Sequence, residues 1–209
     1  GRMFTIDNVD NMDTAGIAFG RLAGEFIRTK VVPELDAFRF ASYAGIRGIS
    51  SATPATLSSG EEIIAALRAA TTKMDEDEVP FEDRHLFITP TLDGMIMDLD
   101  TTKSKEVLSR FATKTLVPQT RFYTAIKLKS GKTSEEVGGY EKEGSAGKDI
   151  NFMVIHKPAV IQFEKHIAPK IISPDINQDA DAYKFGYRNV GIADAYENKV
   201  AGIYLHNKE

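Results

Sequence analysis

"DAYKFGYRNVGIADAYENKVAGIYLH", residues 181–206, is the stretch whose reading decides the fold. In "DAYKFGY" (181–187), Tyr183, Phe185 and Tyr187 share one face of a strand, because successive side chains point to opposite sides. In "KVAGIYLH" (199–206), Ala201, Ile203 and Leu205 share one face, with Val200 and Tyr204 on the other. Both faces are thus partly apolar, which is the pattern of strands lying between two layers. Neither run carries a catalytic motif, so the end of the chain reads as scaffold.

Working outward, "MFTIDNV" alternates Phe4 and Ile6 with Thr5 and Asp7 and predicts a strand at the start of the chain. It either pairs with a later segment or belongs to something longer. Asp13 offers an N-cap for a helix to about Val31, with Ala15, Phe19, Leu22, Ala23 and Phe26 on one face. Ile17, Ile27 and Val31 widen that arc, so the helix is expected to be covered on more than one side. Gly16, Gly20 and Gly24 recur every four residues and point to close approach of a packed layer, in which Gly20→Ala would destabilise the fold. Pro33 ends or kinks this element, and "PELDAFRFASYAG" resumes a helix that Gly45 closes.

The run "GIRGISSATPATLSSG" (45–60) is the best candidate boundary in the chain. Ser59 and Glu62 then have capping-box spacing ahead of a helix carrying Ile63, Ile64, Leu67 and Met74. Strands are expected at "HLFITP" (85–90), stopped by Pro90, at "RFYTAIKL" (121–128) and at "INFMVIH" (150–156). The polar run at 129–149 reads as a loop with too little apolar content to form a core. Helices early and strands late make an α+β protein.

Composition narrows the chemistry. With 26 basic and 30 acidic residues spread along 209 positions, the net charge of −4 offers no field for tight, sequence-specific nucleic-acid binding. There is no cysteine, which removes disulfides, thiolate metal sites and thiol catalysis. No apolar run approaches 18 residues, and the first ten residues lack the form of a leader, so a soluble protein without a targeting segment is expected.

Each candidate for a reactive site has a simpler reading beside it. Gly147-Lys148 lies in a glycine-rich run, but Lys142 and Asp149 stand where a phosphate loop needs Gly and Ser or Thr, so a surface loop is the reading. Asp98 and Asp100 could point the same way and hold a hard cation, but no third ligand accompanies them, and a solvated turn is expected. None of His85, His156, His166 and His206 lies three or four residues from another, so no local metal pair exists. The acid run "DEDE" (75–78) reads as a solvated loop beyond a helix. No catalytic, cofactor-binding or metal residue is therefore assigned, and no cofactor is expected.

Five stretches, "FIRTKVVPELDAFRFASYA" (26–44), "LFITP" (86–90), "VPQTRFYTAI" (117–126), "DINFMVIHKPAVI" (149–161) and residues 181–206, together resemble the major capsid proteins of tailed bacteriophages and prophages with the Hong Kong 97-type fold. Their order and spacing carry the resemblance. It implies a long spine helix packed on a peripheral-domain sheet, with residues 1–54 and 171–209 as the peripheral domain and 55–170 as an inserted axial domain. It also implies an N-terminal arm and an extended hairpin before the spine helix; "GRMFTID" would be that hairpin's returning strand, most of the rest being absent. The function implied is structural and not enzymatic: a coat subunit that self-assembles into hexamers and pentamers of an icosahedral head around double-stranded DNA, contacting it without reading sequence. Its partners would be copies of itself, with scaffolding, portal and decoration proteins, and no membrane. Its place would be the virion, after assembly in the bacterial cytoplasm. The alternative of the same fold is an encapsulin-like compartment that packages protein. The alternative of another class is a small enzyme with a site near the loop at 129–149.

Overall fold

The structure, a computed structural model, describes residues 2–8, 17–99, 102–129 and 138–209. Asp13, Ala15, Gly16, Asp100 and residues 130–137 lie outside the described residues, as do the side chains of Phe4, Phe19 and His166. In chain order the elements are β1 (Arg2–Asp7), α1 (Ile17–Phe26), a π-helical turn (Ile27–Val31), α2 (Val32–Ala44), β2 (Ser50–Ser51), α3 (Gly60–Glu76) and β3 (Arg84–Ile88). There follow α4 (Pro90–Met97), α5 (Thr102–Leu108), β4 (Thr113–Leu116), β5 (Ile126–Lys129), β6 (Gly139–Lys142), β7 (Ile150–His156), β8 (Val160–Ile172), β9 (Ala182–Ala195) and β10 (Ile203–Asn207). The architecture is α+β, as the sequence predicts.

The chain forms two compact units: residues 1–35, 129–139 and 162–192 make one, and residues 36–128, 140–161 and 193–209 the other. The division expected at 54/55 and 170/171 differs from this partition. The run 45–60, expected as a boundary, lies inside the second unit, where Ser50–Ser51 pairs with β10.

The second unit is built on a five-stranded sheet in the order β2-β10-β7-β3-β4. Its centre is β7, whose run "INFMVIH" is buried at every position. β7 pairs antiparallel with β10 (Ile203 opposite Ile155) and with β3 (Ile88 opposite Phe152). A layer of helices covers one face: Ile63, Leu67 and Met74 of α3, Leu92 and Ile96 of α4 and Val107 of α5 pack with Leu86, Ile88, Phe152, Val154 and Tyr204. Burying each such side chain contributes about 1.5–3 kcal/mol. The other face carries Met153, Ile155, Ile203 and Leu205 against Phe40 and Tyr43 of α2 and against Phe122. Phe40 meets Phe87 and Phe122 edge-on at centroid distances of 5.3 and 4.7 Å. The terminal strand therefore does lie between two layers, with Tyr204 on one side and Ile203 and Leu205 on the other.

That strand is shorter than expected. Glu197–Gly202 is a 3₁₀ turn, and Ala201 packs in the cluster of Tyr204 instead of sharing the face of Ile203. A Cβ at Gly202 would stand 2.6 Å from Ala159 Cβ and 3.3 Å from His156 Cβ, so the turn closes tightly on the β7–β8 connection. The Tyr196 amide, donating to the Ala159 carbonyl at 3.0 Å, ties the two together.

In the first unit a three-stranded sheet runs β1-β9-β8. β1 does pair with a later segment, antiparallel to β9, with Ile6 opposite Tyr183 and Arg2 opposite Tyr187. Phe185 is buried, while Tyr183 and Tyr187 are half-buried.

Pro33 neither ends nor interrupts the helix. The Val32 amide donates to the Ile27 carbonyl, five residues back, so a wide π turn precedes the proline and helix continues on both sides. The covered glycine flank is not found. Among the described residues, a Cβ at Gly20 or Gly24 meets no heavy atom within 4 Å outside the local helix. Pro90, expected to stop a strand, also opens α4 as its first helical residue, where its missing N–H costs nothing. Of the strand expected at 121–128 only β5 is formed, after a 3₁₀ turn at Gln119–Arg121 and a single bridge from Tyr123 to Asp149.

Candidate functional site

The acid run 75–78 is where the second unit concentrates its charge. Asp75 is still in the last turn of α3, and its carboxylate accepts from Arg84 Nη1 at 2.7 Å and Arg110 Nη2 at 2.5 Å. Arg84 is buried to 1% exposure on β3 and would be prohibitively desolvated without partners. Its Nε donates to the Pro80 carbonyl at 2.9 Å and its Nη2 to the Val79 carbonyl, so the guanidinium ties the 77–83 loop to the Asp75 end of α3. Partial burial pushes the Asp75 carboxyl up, and the two guanidinium groups outweigh it and hold it below its ordinary value. Asp77 is held low by the Lys73 ammonium, with a further bond from Ser50 Oγ. The solvated loop expected for these acids is therefore only half right. No local spacing links Asp75 to an arginine 35 positions on, so the sequence carries no signal for this cluster.

The same loop forms one wall of an open cleft of about 460 Å³, lined among others by Glu78, Glu82, Asp83, His156 and Lys199. His156, at the end of β7, is buried to 7% exposure, and neither ring nitrogen has a hydrogen bond among the described residues. Burial, then Arg84 and Lys199, depress its basicity against the opposing pull of Asp83 and Glu82, so the imidazole is neutral at neutral pH.

The other histidines stand apart from it. His85 Nδ1 lies 2.7 Å from Thr113 Oγ1 across the β3–β4 pair. His206 lies on β10, its ring 5.0 Å from that of Phe152 and its Nδ1 3.0 Å from Asn151 Nδ2; burial lowers its basicity. His166 lies on β8. Asp98 caps the C-terminus of α4 through its backbone amide, which donates to Gly94. Gly147 fits no phosphate: a Cβ there would stand 2.5 Å from the Glu143 carbonyl and 2.8 Å from that of Ala125. Among the described residues, no three His, Asp or Glu side chains are grouped to hold a metal ion, and no helix is long and apolar enough to cross a membrane.

In the first unit the feature of note is apolar. Phe163, Ile167 and Ile171 share one face of β8 by alternation, and they are 53 to 59% exposed. Val190 and Ile192 of β9 are exposed as well.

No protein-family model matches this chain, and no curated protein matches it. Solved structures do. A structure from Mycobacterium phage Che8 superposes with a TM-score of 0.60 at 11% identity, over 98% of this chain and 68% of that one. The virus-like particle from Pyrococcus furiosus gives 0.66 at 9% identity, over 98% and 74%. The capsid of the cyanophage P-SCSP1u gives 0.56 at 14% identity, over 100% and 71%. The likeness covers both units, and at these identities it establishes the fold: the chain has the Hong Kong 97-type capsid fold that its sequence resembles.

Proposed function

We propose that this chain is the major coat subunit of a tailed phage or prophage head, assembling with copies of itself into hexamers and pentamers around double-stranded DNA. One observation carries the reading: nearly the whole chain superposes on subunits of capsids and a virus-like particle. The exposed Phe163, Ile167 and Ile171 of β8 support it, since grouped exposed apolar side chains mark association. The role is mechanical, not catalytic. DNA contact is non-specific, in keeping with a net charge of −4. Scaffolding, portal and decoration proteins are further partners, with the virion as the site of action and the host cytoplasm as the site of assembly. The unit with α1 and the β1-β9-β8 sheet serves as the peripheral domain, and the unit with the five-stranded sheet as the axial domain. Electron microscopy of the purified protein at full natural length tests this: closed shells or capsomer rings are expected, and monodisperse monomer under all conditions would overturn it.

A second reading, a compartment enclosing protein, is favoured by the likeness to the Pyrococcus furiosus virus-like particle. Nuclease-protected nucleic acid in particles purified from the native source separates the first reading from the second.

A further inference from the structure

The 77–83 loop is held in one shape from several sides. Arg84 binds the Val79 and Pro80 carbonyls, the Val79 amide donates to Met74 at 2.9 Å, and the Lys157 amide donates to the Asp83 carbonyl at 2.9 Å. Glu78 and Asp83 both sit at φ 57, a left-handed conformation that such residues keep only where the surroundings impose it. Glu78, Glu82 and Asp83 are exposed, and none of their side chains has a hydrogen bond or ion pair among the described residues.

Beside them the His156 side chain is more than nine-tenths buried and makes no hydrogen bond among the described residues, and its ring nitrogens are not sealed from the cleft. It lines the cleft, so the cleft is where a partner for it can come from. The wall thus offers three free carboxylates and a neutral imidazole against one ammonium, that of Lys199, which lies 5.5 Å from the ring centre of Tyr196. The absence of a three-ligand group among the described residues argues against a compact metal ion. An extended cation with several N–H donors suits separated acceptors: guanidinium has five donors and ammonium three. This chain also presents Arg47, Lys127 and Arg188 exposed and without an ion pair among the described residues.

We infer that the cleft between the 77–83 loop and His156 receives a lysine or arginine side chain from a second copy of this chain. The choice of a second copy rests on the shell-forming role proposed above, in which the surface meeting this cleft belongs to an identical subunit. The carboxylates supply the charge and His156 a hydrogen-bond acceptor at the bottom of the cleft.

The test has two arms. N-acetyl-L-arginine amide, with N-acetyl-L-glutamine amide as its uncharged analogue, is titrated into the purified chain while the His156 ring and the Glu82 and Asp83 amides are followed by NMR. The arginine amide should shift these signals, and E82Q/D83N, in which Asn tolerates the backbone of position 83, should weaken its binding by about fivefold. Binding should also fall as the pH drops and His156, which faces Arg84, Lys199, Asp83 and Glu82, takes up a proton. An equal response to both amides would overturn recognition of a cation. In the second arm, sedimentation of the parent and of E82Q/D83N should show that the variant needs about five times the concentration to self-associate. Unchanged self-association with lost probe binding would overturn the second copy as occupant and leave the shell reading intact. A parent chain that never self-associates would overturn both the shell reading and this occupant, with the cleft's affinity for a cation still decided by the first arm.

Discussion

His206 shows how a single hydrogen bond sets a protonation state. Asn151 Nδ2 donates to the Ala55 carbonyl at 2.8 Å and lies 3.0 Å from His206 Nδ1. An amide nitrogen only donates, so Nδ1 accepts and the ring proton is on Nε2. Protonating Nδ1 sets donor against donor in a buried site. Burial also holds the folded value below the ordinary 6.5. Below about pH 6.5 the unfolded chain therefore takes up a proton that the folded chain resists. Stability from this site is complete above that pH and declines as pH falls toward the folded value. His156 acts with the same sign, so both contribute in the parent. His206→Gln should make the acid-side loss of unfolding free energy shallower between pH 7 and 5. Chemical denaturation across that range checks it, and an unaltered slope would mean His206 does not titrate differently on folding.

Two glycines separate open from closed backbone at the same scale. At Gly202 a methyl group has nowhere to go, and Gly202→Ala should destabilise by about 1–3 kcal/mol. At Gly20 the space is open, and Gly20→Ala should stabilise by about 0.5–1 kcal/mol through helix propensity. Thermal unfolding of both variants should move the midpoint in opposite directions. The four-residue glycine spacing could not reveal this, because spacing says which residues share a flank and not whether anything covers it.

Among the elements, α3 was the most legible because its start signal is local. Ser59 Oγ accepts from the Glu62 amide at 3.3 Å, as the capping-box spacing predicts. The return arm is displaced by one residue, Glu62 Oε2 accepting from the Ser58 amide at 2.8 Å and the Ser58 hydroxyl at 3.0 Å, which lowers the Glu62 carboxyl's proton affinity. Ser59→Ala should cost about 1 kcal/mol, read as a lowered denaturant midpoint with an unchanged slope. β7 and β10 were legible for the same kind of reason: apolar residues on both faces mark a strand between layers. β8 was not. "VIQFEKHIAPKII" carries both charges and a proline, and Phe163, Ile167 and Ile171 face solvent in this chain, so its pattern does not describe a core. Pro90 misled because one residue serves both as the end of a strand and as the first turn of a helix. The Asp75–Arg84–Arg110 cluster and the His156 cleft were invisible, being assembled from segments far apart in the chain.

For the whole molecule, the question is what covers the large apolar groups that β8 leaves exposed. Phe163, Ile167 and Ile171 lie on one side of β8, and isolated exposure of one such residue would mean little. Three on one face of a strand, spaced by Lys165 and Pro169, form an exposed apolar row that a shell of identical subunits would cover and a monomer would leave wet. Because these side chains are more than half exposed, shortening them removes little buried area within the subunit. Ile167→Ser combined with Ile171→Ser should therefore change the unfolding free energy of the isolated chain by less than about 0.5 kcal/mol per site. The same double variant should lose closed particles by electron microscopy, since the row then offers hydroxyls to an interface that excludes water. Particles formed at parental yield would show that the row faces solvent in the shell, and a collapse of subunit stability would show that it belongs to the subunit's own core.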